Sequence, residues 1–525
     1  MYLLGIDVGT TGCKTMLFDL EGRVIAFADQ EYPTYYPRVS WAEQEPKDWW
    51  EAVKATVRCC LAKAEPGEIL GIGVSSHREA VVPLSENGEV LARSIIWMDK
   101  RSLPQTEWIR RNFNEDEIYR RTGLRVDPTF TATKLLWLKE HQPELLERTS
   151  VLLQPKDYIV YRLTGGWITD QSIASRTLLY NIRERRWDER LFEMFGLRRE
   201  LFPEALPSDE VVGRVTEEAA AETGLAAGTP VVAGGGDRTC EALGAGAINP
   251  SILEESTGSA TTMATTLDEP FFDPQMRIAC GCHVIPGKWC LEAGIGVTGA
   301  VFRWCRDKIF LLEKETAIPM RRRAYELMDM QSEYIPPGSG GLLVIPHFMG
   351  SKAPKWNPKA RGVILGLTLL HSRVHIAKAV MEGVAYEIRF LLETLEELGI
   401  KPEEIRLQGG ASKSPVWSQI KADVWGRPVT MLEVTDGACL GDAILAGVGV
   451  GAFANYNEAV SGMVRVRRVI EPDDQAHHIY DRLYEIYCEV ASSLDPYFAK
   501  LQEVTLTEKI KELAWERKMH LLDYI

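Results

Sequence analysis

Three short stretches of this 525-residue chain combine acids, cations and glycine-rich turns in patterns able to handle phosphate. The first is MYLLGIDVGTTGCKTMLFD (1–19), with Asp7, the turn Gly9-Thr10-Thr11-Gly12 and then Lys14. Threonine hydroxyls and backbone N–H groups exposed at such a turn form an anion-binding concavity. Lys14 adds a point charge for phosphate. Asp7, at a strand end, is placed to hold Mg²⁺ through water, because that ion keeps much of its hydration shell. The competing reading is a hairpin turn that simply needs glycine. The second stretch, LEESTGSATTMATT (253–266), again sets a turn, Thr257-Gly258-Ser259, between β-branched segments. Two hairpins of one type, far apart, predict two similar halves facing one nucleotide. The third, GTPVVAGGGDRTCEALGAG (228–246), is a buried strand over 230–233 that ends in three glycines and Asp237. A carboxylate there can take a proton from an attacking hydroxyl. Alternatively, Asp237 only caps the helix that follows.

Other clusters are less specific. Ser75-Ser76-His77-Arg78-Glu79 lies between two short strands, where Arg78 can donate to a polyol and Glu79 accept from it. The same pair would be worth little as a surface ion pair, and His77 alone reads more readily as structural. Gly294-Ile295-Gly296-Val297-Thr298-Gly299 matches G-x-G-x-x-G, but the acid expected about twenty residues on falls in the helical stretch LLEKET. It reads as glycine at a helix N-terminus where backbone approaches phosphate or another strand. Near the C-terminus, a strand ends at Gly409-Gly410, where an adenine ring can lie against backbone, and a helix is predicted over 415–425. Cys280-Gly281-Cys282-His283 lacks the paired spacing of a zinc site.

The elements that must position these groups are alternating strands and helices, long enough for more than one domain. Net charge is −14 and the sequence pI near 5.4, so no global basic field attracts nucleic acid. No apolar run is long enough to span a bilayer, and the start lacks the basic region of a signal peptide. Ten cysteines without framework spacing fit a reducing, cytoplasmic setting. In the tail, 504–525, Leu506, Ile510, Leu513 and Ala514 share helical spacing. That face needs burial on its own chain or on a second subunit, as in a homodimer.

In order along the chain, Asp7-Val8-Gly9-Thr10-Thr11, Gly234-Gly235-Gly236-Asp237, GVILGLTLLHSRVHIAKAVMEG (362–383) and Gly409-Gly410-Ala411 resemble the FGGY carbohydrate kinases, the family of xylulokinase and glycerol kinase. The resemblance runs to about residue 500. It implies an α/β fold of two ribonuclease-H-like (actin-like ATPase) domains around a central catalytic cleft. The first would span 1–248, and the second 249–525 with a C-terminal helical extension. It further implies an enzyme that uses ATP and Mg²⁺ to phosphorylate a small-molecule sugar or polyol. Asp237 would be the catalytic base and Asp7 would help hold the metal. ATP would meet Thr10, Thr11, Gly12 and Lys14, then Thr257, Gly258, Gly299 and Arg303, and on the adenine side Gly410 and Ser414. Substrate would meet His77, Arg78, Glu79, Thr129, Asp237 and Arg238. Arg78-Glu79 is similar to the pair of glycerol kinases, whereas Thr129 stands where those carry a tyrosine and Arg238 where they carry a glutamine. These departures favour a linear ketopentose or polyol larger than glycerol. Glycerol and an autoinducer-2-type substrate are the alternatives, and a non-catalytic sensor or a chaperone ATPase the remote ones.

Overall fold

A computed structural model describes residues 1–63 and 68–505. Two seven-stranded sheets carry the chemistry, and each repeats the same plan. In the first, the hairpin of Tyr2–Val8 and Gly12–Asp19 is antiparallel and extends outward to Val24–Glu31. On its other side Tyr2–Val8 runs parallel to Ile69–Ser76, followed by Pro230–Val232 and the antiparallel edge strand Val211–Arg214. In the second, the hairpin of Ile252–Thr257 and Thr261–Leu267 extends outward to Trp289–Ile295 and Ala279–Cys282. Ile252–Thr257 runs parallel to Glu404–Gln408, followed by Val429–Leu432 and the antiparallel edge Val466–Ile470. The repeat predicted from two glycine-threonine turns is thus a repeat of whole sheets. Parallel strands need crossover connections, and the intervening helices supply them.

Local sequence explains the elements. Tyr2–Val8 is buried on both faces and reads as an apolar run, whereas Gly12–Asp19 carries Lys14 and Asp19 at half-buried positions. Pro46 opens the helix Pro46–Leu61, and Trp49 and Trp50 bury on its inner face. The helix predicted over 415–425 is Pro415–Trp425; Ser414 caps it and left-handed Gly426 ends it.

The halves are joined by two small-residue helices, Asp237–Gly244 and Gly437–Gly449. A Cβ on Gly441 would fall 1.9 Å from the Cys240 carbonyl oxygen, and one on Gly244 1.9 Å from that of Gly437. Gly437–Gly449 follows a strand of the second sheet yet lies on the first. There Gly5 and Gly73 leave room for its backbone at Cys439 and Asp442. Small residues on both partners are what permit this backbone approach. Gly441→Ala is therefore expected to lower stability by roughly 1–3 kcal/mol through overpacking, read as a fall in denaturant midpoint.

The segment between Ile69–Ser76 and Val211–Arg214 forms a helical cap on the first half that also reaches the second. Tyr119 donates to the Ile278 carbonyl at 2.7 Å, and Trp289 Nε1 to that of Ile182 at 2.8 Å. Among the described residues no helix is long and apolar enough to cross a membrane. The predicted tail helix at Leu506 to Ala514 lies outside the described residues.

Candidate active site

Both glycine-threonine turns sit at hairpin ends of their sheets. In the first, Asp7 and Lys14 are cross-strand partners. The turn is fixed from outside: Trp97 Nε1 donates to Thr10 Oγ1 at 2.9 Å, Gln44 Nε2 to the Thr10 carbonyl at 2.7 Å, and the Tyr32 hydroxyl to the Gly9 carbonyl. Thr11 stays exposed. Gly12 must be glycine, since a Cβ would meet the Gln30 carbonyl oxygen at 2.7 Å. Lys14 crosses to the other half and pairs with Asp436 at 2.6 Å. Asp436 directly precedes the helix Gly437–Gly449, and its carboxylate serves Lys14 instead of capping that helix.

In the second turn, Gly258 and Ser259 are exposed while Thr257 points inward. The Thr257 hydroxyl bonds Glu255 and lies 2.8 Å from that of Thr261, and Lys421 donates to it at 3.1 Å. Only backbone is thus offered to a ligand at Thr257. Gly299, first in the helix Gly299–Lys308, packs on this turn: a Cβ there would sit 2.1 Å from the Gly258 carbonyl oxygen. The G-x-G-x-x-G motif therefore serves close approach of two backbones. Arg303 lies exposed one helical turn on. On the far side, Gly409 adopts φ 75°, ψ −175°, a conformation open essentially to glycine alone, and Gly410 faces open space. Ser414 uses its hydroxyl oxygen to cap Pro415–Trp425, accepting from Trp417 N at 3.0 Å.

Asp237 begins its helix at the floor between the halves, with Gly235–Gly236 continuing the sheet beside Ser75 and Ser76. Arg78 Nε lies 3.4 Å from Asp237 Oδ1, and the Arg238 amide donates to that oxygen at 2.8 Å. Burial raises the Asp237 carboxyl above its usual range, with Glu79 and Glu241 adding to the effect against Arg238 and Arg78. Asp7 is pushed up to about 7, first by burial and then by Asp237 and Glu241, although Lys14 opposes this. Asp7, Asp237 and Glu241 are half-buried acids near one another, with Lys14, Arg78 and Arg238 beside them. Among the described residues no group of three or more His, Cys, Asp or Glu could hold a metal directly. Asp7 and Asp237 are carboxylates, the oxygen donors that Mg²⁺ takes together with water.

Arg78 and Glu79 do not chiefly serve each other; their closest approach is 4.0 Å. Arg78 forks onto Glu292 of the second sheet, at 2.6 and 2.8 Å, and Glu79 accepts from Arg176 Nε at 2.7 Å. Glu79 has φ 62°, a left-handed backbone that turns the chain sharply at this point. His77 lies in the interior, edge-on to Trp49 with ring centroids 5.6 Å apart, and burial lowers it to about 4. Arg78 and Glu79 are buried as well, each engaged by a side chain from another element. Thr129 accepts from Lys100 Nζ at 3.2 Å at the rim, where Lys352 also lies, 5.6 Å over the Trp97 ring. Arg238 Nη1 reaches Glu241 and Thr262.

Glu292, Arg176, Asp436, Trp97 and Glu241 are the contributors that sequence reasoning missed. Glu292 did leave a signal, a lone acid in the apolar run WCLEAGI, as did Asp436, an acid before a small-residue helix.

Models of the FGGY family of carbohydrate kinases match residues 2–244 with the N-terminal domain and 256–450 with the C-terminal domain. The chain is 33% identical to a glycerol kinase of Thermococcus gammatolerans over 480 residues, covering 90% of this chain and 93% of the relative. It is 30% identical to a gluconokinase of Bacillus subtilis over 504 residues, covering 96% and 98%. The crystal structure of xylulose kinase from Rhodospirillum rubrum superposes with TM-score 0.85 at 30% identity, covering 95% of this chain and all of that one. The two-sheet architecture is the actin-like ATPase fold shared by such kinases, and the chain belongs to the FGGY family of carbohydrate kinases.

Proposed function

We propose that this carbohydrate kinase transfers the γ-phosphoryl group of ATP to a primary hydroxyl of a linear ketopentose or polyol larger than glycerol, with Asp237 as the base. The observation that carries the reading is the position of Asp237. It is a carboxylate with raised basicity, held by Arg78 and the Arg238 amide on the floor between the two turns. A pure sensor has no use for a proton acceptor there.

ATP would lie between the hairpins, its phosphates over Thr10, Thr11, Gly12, Gly258 and Gly299, and its adenine against Gly410. Lys14 would leave Asp436 or share it, meeting phosphate as a point charge. Ser414 already serves as a helix cap, so any base contact from it would be shared with that role. Asp7 would hold Mg²⁺ through water, and when bound the ion neutralises phosphate charge. Substrate would lie over Arg78 and Glu79 toward Thr129. Asp237 takes the hydroxyl proton as that oxygen attacks phosphorus, and the closed cleft keeps water from competing. In such transfers most of the rate comes from positioning and electrostatics.

Thr129 in place of a bulkier side chain leaves length for more than three carbons, and Lys100 and Lys352 stand at that end. Relatives named for glycerol, gluconate and xylulose all lie near 30% identity, so identity alone does not choose among them. Coupled ADP release with MgATP tests the choice, using both hands of xylulose and ribulose, erythritol, ribitol, gluconate, glycerol and an autoinducer-2 precursor. One ketopentose or longer polyol should exceed glycerol in kcat/KM by at least roughly tenfold, the scale of one well-placed contact. A preference for glycerol would overturn the substrate assignment.

A further inference from the structure

Arg238 follows the proposed base, yet its side chain turns away from the Arg78 and Glu79 side of the floor. Its Nη1 donates to Glu241 Oε2 at 2.5 Å and to Thr262 Oγ1 at 3.0 Å. Ser256 Oγ donates to the other Glu241 oxygen at 2.6 Å. Ser256 and Thr262 face each other across the second hairpin, and the next pair outward, Thr257 and Thr261, borders the turn. The guanidinium is therefore anchored on the hairpin about 3.4 Å, one strand step, from the glycine turn. The anchor comes from both halves, because Glu241 lies on the helix Asp237–Gly244 and Ser256 and Thr262 on the second sheet. Nε and Nη2 donate no hydrogen bond among the described residues, and the side chain is 33% exposed. A guanidinium with one nitrogen fixed and two others free, set between the base and a phosphate-sized turn, has the form of an anion clamp.

We propose that Arg238 is a catalytic residue that binds the transferred phosphoryl group and neutralises its charge in flight, an arginine supplied by the chain itself. The assignment rests on the kinase reading with Asp237 as base. In the step, the substrate oxygen forms its bond to the γ-phosphorus. The bond from that phosphorus to the β–γ bridging oxygen breaks, and ADP leaves with the electron pair. The hydroxyl proton passes to Asp237. Arg238 exchanges no proton; its free N–H groups follow the equatorial oxygens, whose charge is loosely held during transfer. Glu241 and Thr262 act as positioning residues that keep the fork on the second turn. The helix Asp237–Gly244 and the second hairpin pack on each other through buried Ala242 and Ala264, so the guanidinium is held in place before substrate arrives.

The test compares Arg238→Ala, Arg238→Lys and wild type on the preferred sugar. For Arg238→Ala, kcat should fall roughly 100-fold or more, the usual cost of one such donor, with sugar KM within about threefold. Added guanidinium should restore part of kcat in Arg238→Ala and none in wild type. Arg238→Lys keeps the charge but lacks the fork, so its kcat should lie between the two. An independent readout is binding of ADP with aluminium fluoride, a mimic of the group in flight. Arg238→Ala should lose affinity for it by a similar factor while binding ADP alone as wild type does. A raised sugar KM with kcat intact would make Arg238 a substrate-binding residue and overturn the assignment, as would unchanged affinity for the mimic. A wild-type protein without sugar-dependent turnover would overturn the kinase reading and this assignment with it.

Discussion

Replacing Asp237 by asparagine is expected to lower kcat by about 10³-fold, within the range contributed by a positioned general base. Asparagine keeps the size of the side chain and an oxygen to accept from the Arg238 amide at 2.8 Å, while the ion pair with Arg78 at 3.4 Å is lost. What it loses is the ability to take a proton. KM for ATP should hardly move, since Asp237 does not lie on either turn. Thermal stability should be equal or slightly higher, because a buried acid with raised basicity is removed. Steady-state kinetics beside a melting curve separate these effects. Activity within tenfold of wild type would show that another group accepts the proton.

Replacing Arg78 by methionine is expected to cost about 3–5 kcal/mol of stability, the penalty for stranding one member of a buried ion pair. Glu292 would keep Arg176, 3.8 Å away, and the more distant Arg238, but would lose the fork of Arg78 at 2.6 and 2.8 Å. Removing both charges, as in Arg78→Met with Glu292→Leu, should recover much of the loss, because apolar packing replaces the pair. The pH dependence carries a sign. Burial alone would raise Glu292, but Arg78 and Arg176 outweigh it and hold its pKa at about 2, below the ordinary 4.5. A depressed folded-state pKa contributes stability that is present above the ordinary value and lost as pH falls from 4.5 toward 2. That contribution is on the order of 3 kcal/mol in wild type. In Arg78→Met burial is less opposed, Glu292 rises, and the variant should lose less stability than wild type over the same acid range. Denaturant midpoints between pH 3 and 7 check both parts; an Arg78→Met protein as stable as wild type at pH 7 would show the pair to be dispensable.

Local features were legible in the sequence. The two turns and the floor acid were readable because glycine, threonine and an acid stand within a few residues of one another, in Gly9 to Gly12, Thr257 to Ser259 and Gly234 to Asp237. The helix Pro415–Trp425 was readable from its proline start and glycine stop. Partners were not legible where they are distant. Glu292 lies 214 positions from Arg78, and Asp436 lies 422 positions from Lys14. Nothing within reach of Arg78 in the chain hints that its fork is filled from the other half. The small residues after Asp237 and Gly437 stand on two helices about 200 positions apart in the chain. Each lacks the bulk to fill a normal helix groove, and together they approach so closely that a Cβ on Gly244 or Gly441 would fall 1.9 Å from a carbonyl oxygen of the other helix. Isolated helices give no such clue, because small residues gain meaning only when the partner is known. His77 follows the strand Ile69–Ser76 and sets its ring against Trp49, a contact that nothing near it in the sequence marks.

The central claim is transfer of phosphate to a sugar hydroxyl rather than ATP hydrolysis. It is tested most directly by following ATP labelled with ³²P at the γ position in the presence of the preferred sugar. The account predicts label in one organic phosphate ester, formed in equal amount to ADP, with none formed when sugar is omitted or when Asp237 is asparagine. Label released as inorganic phosphate at the same rate with and without sugar would contradict it.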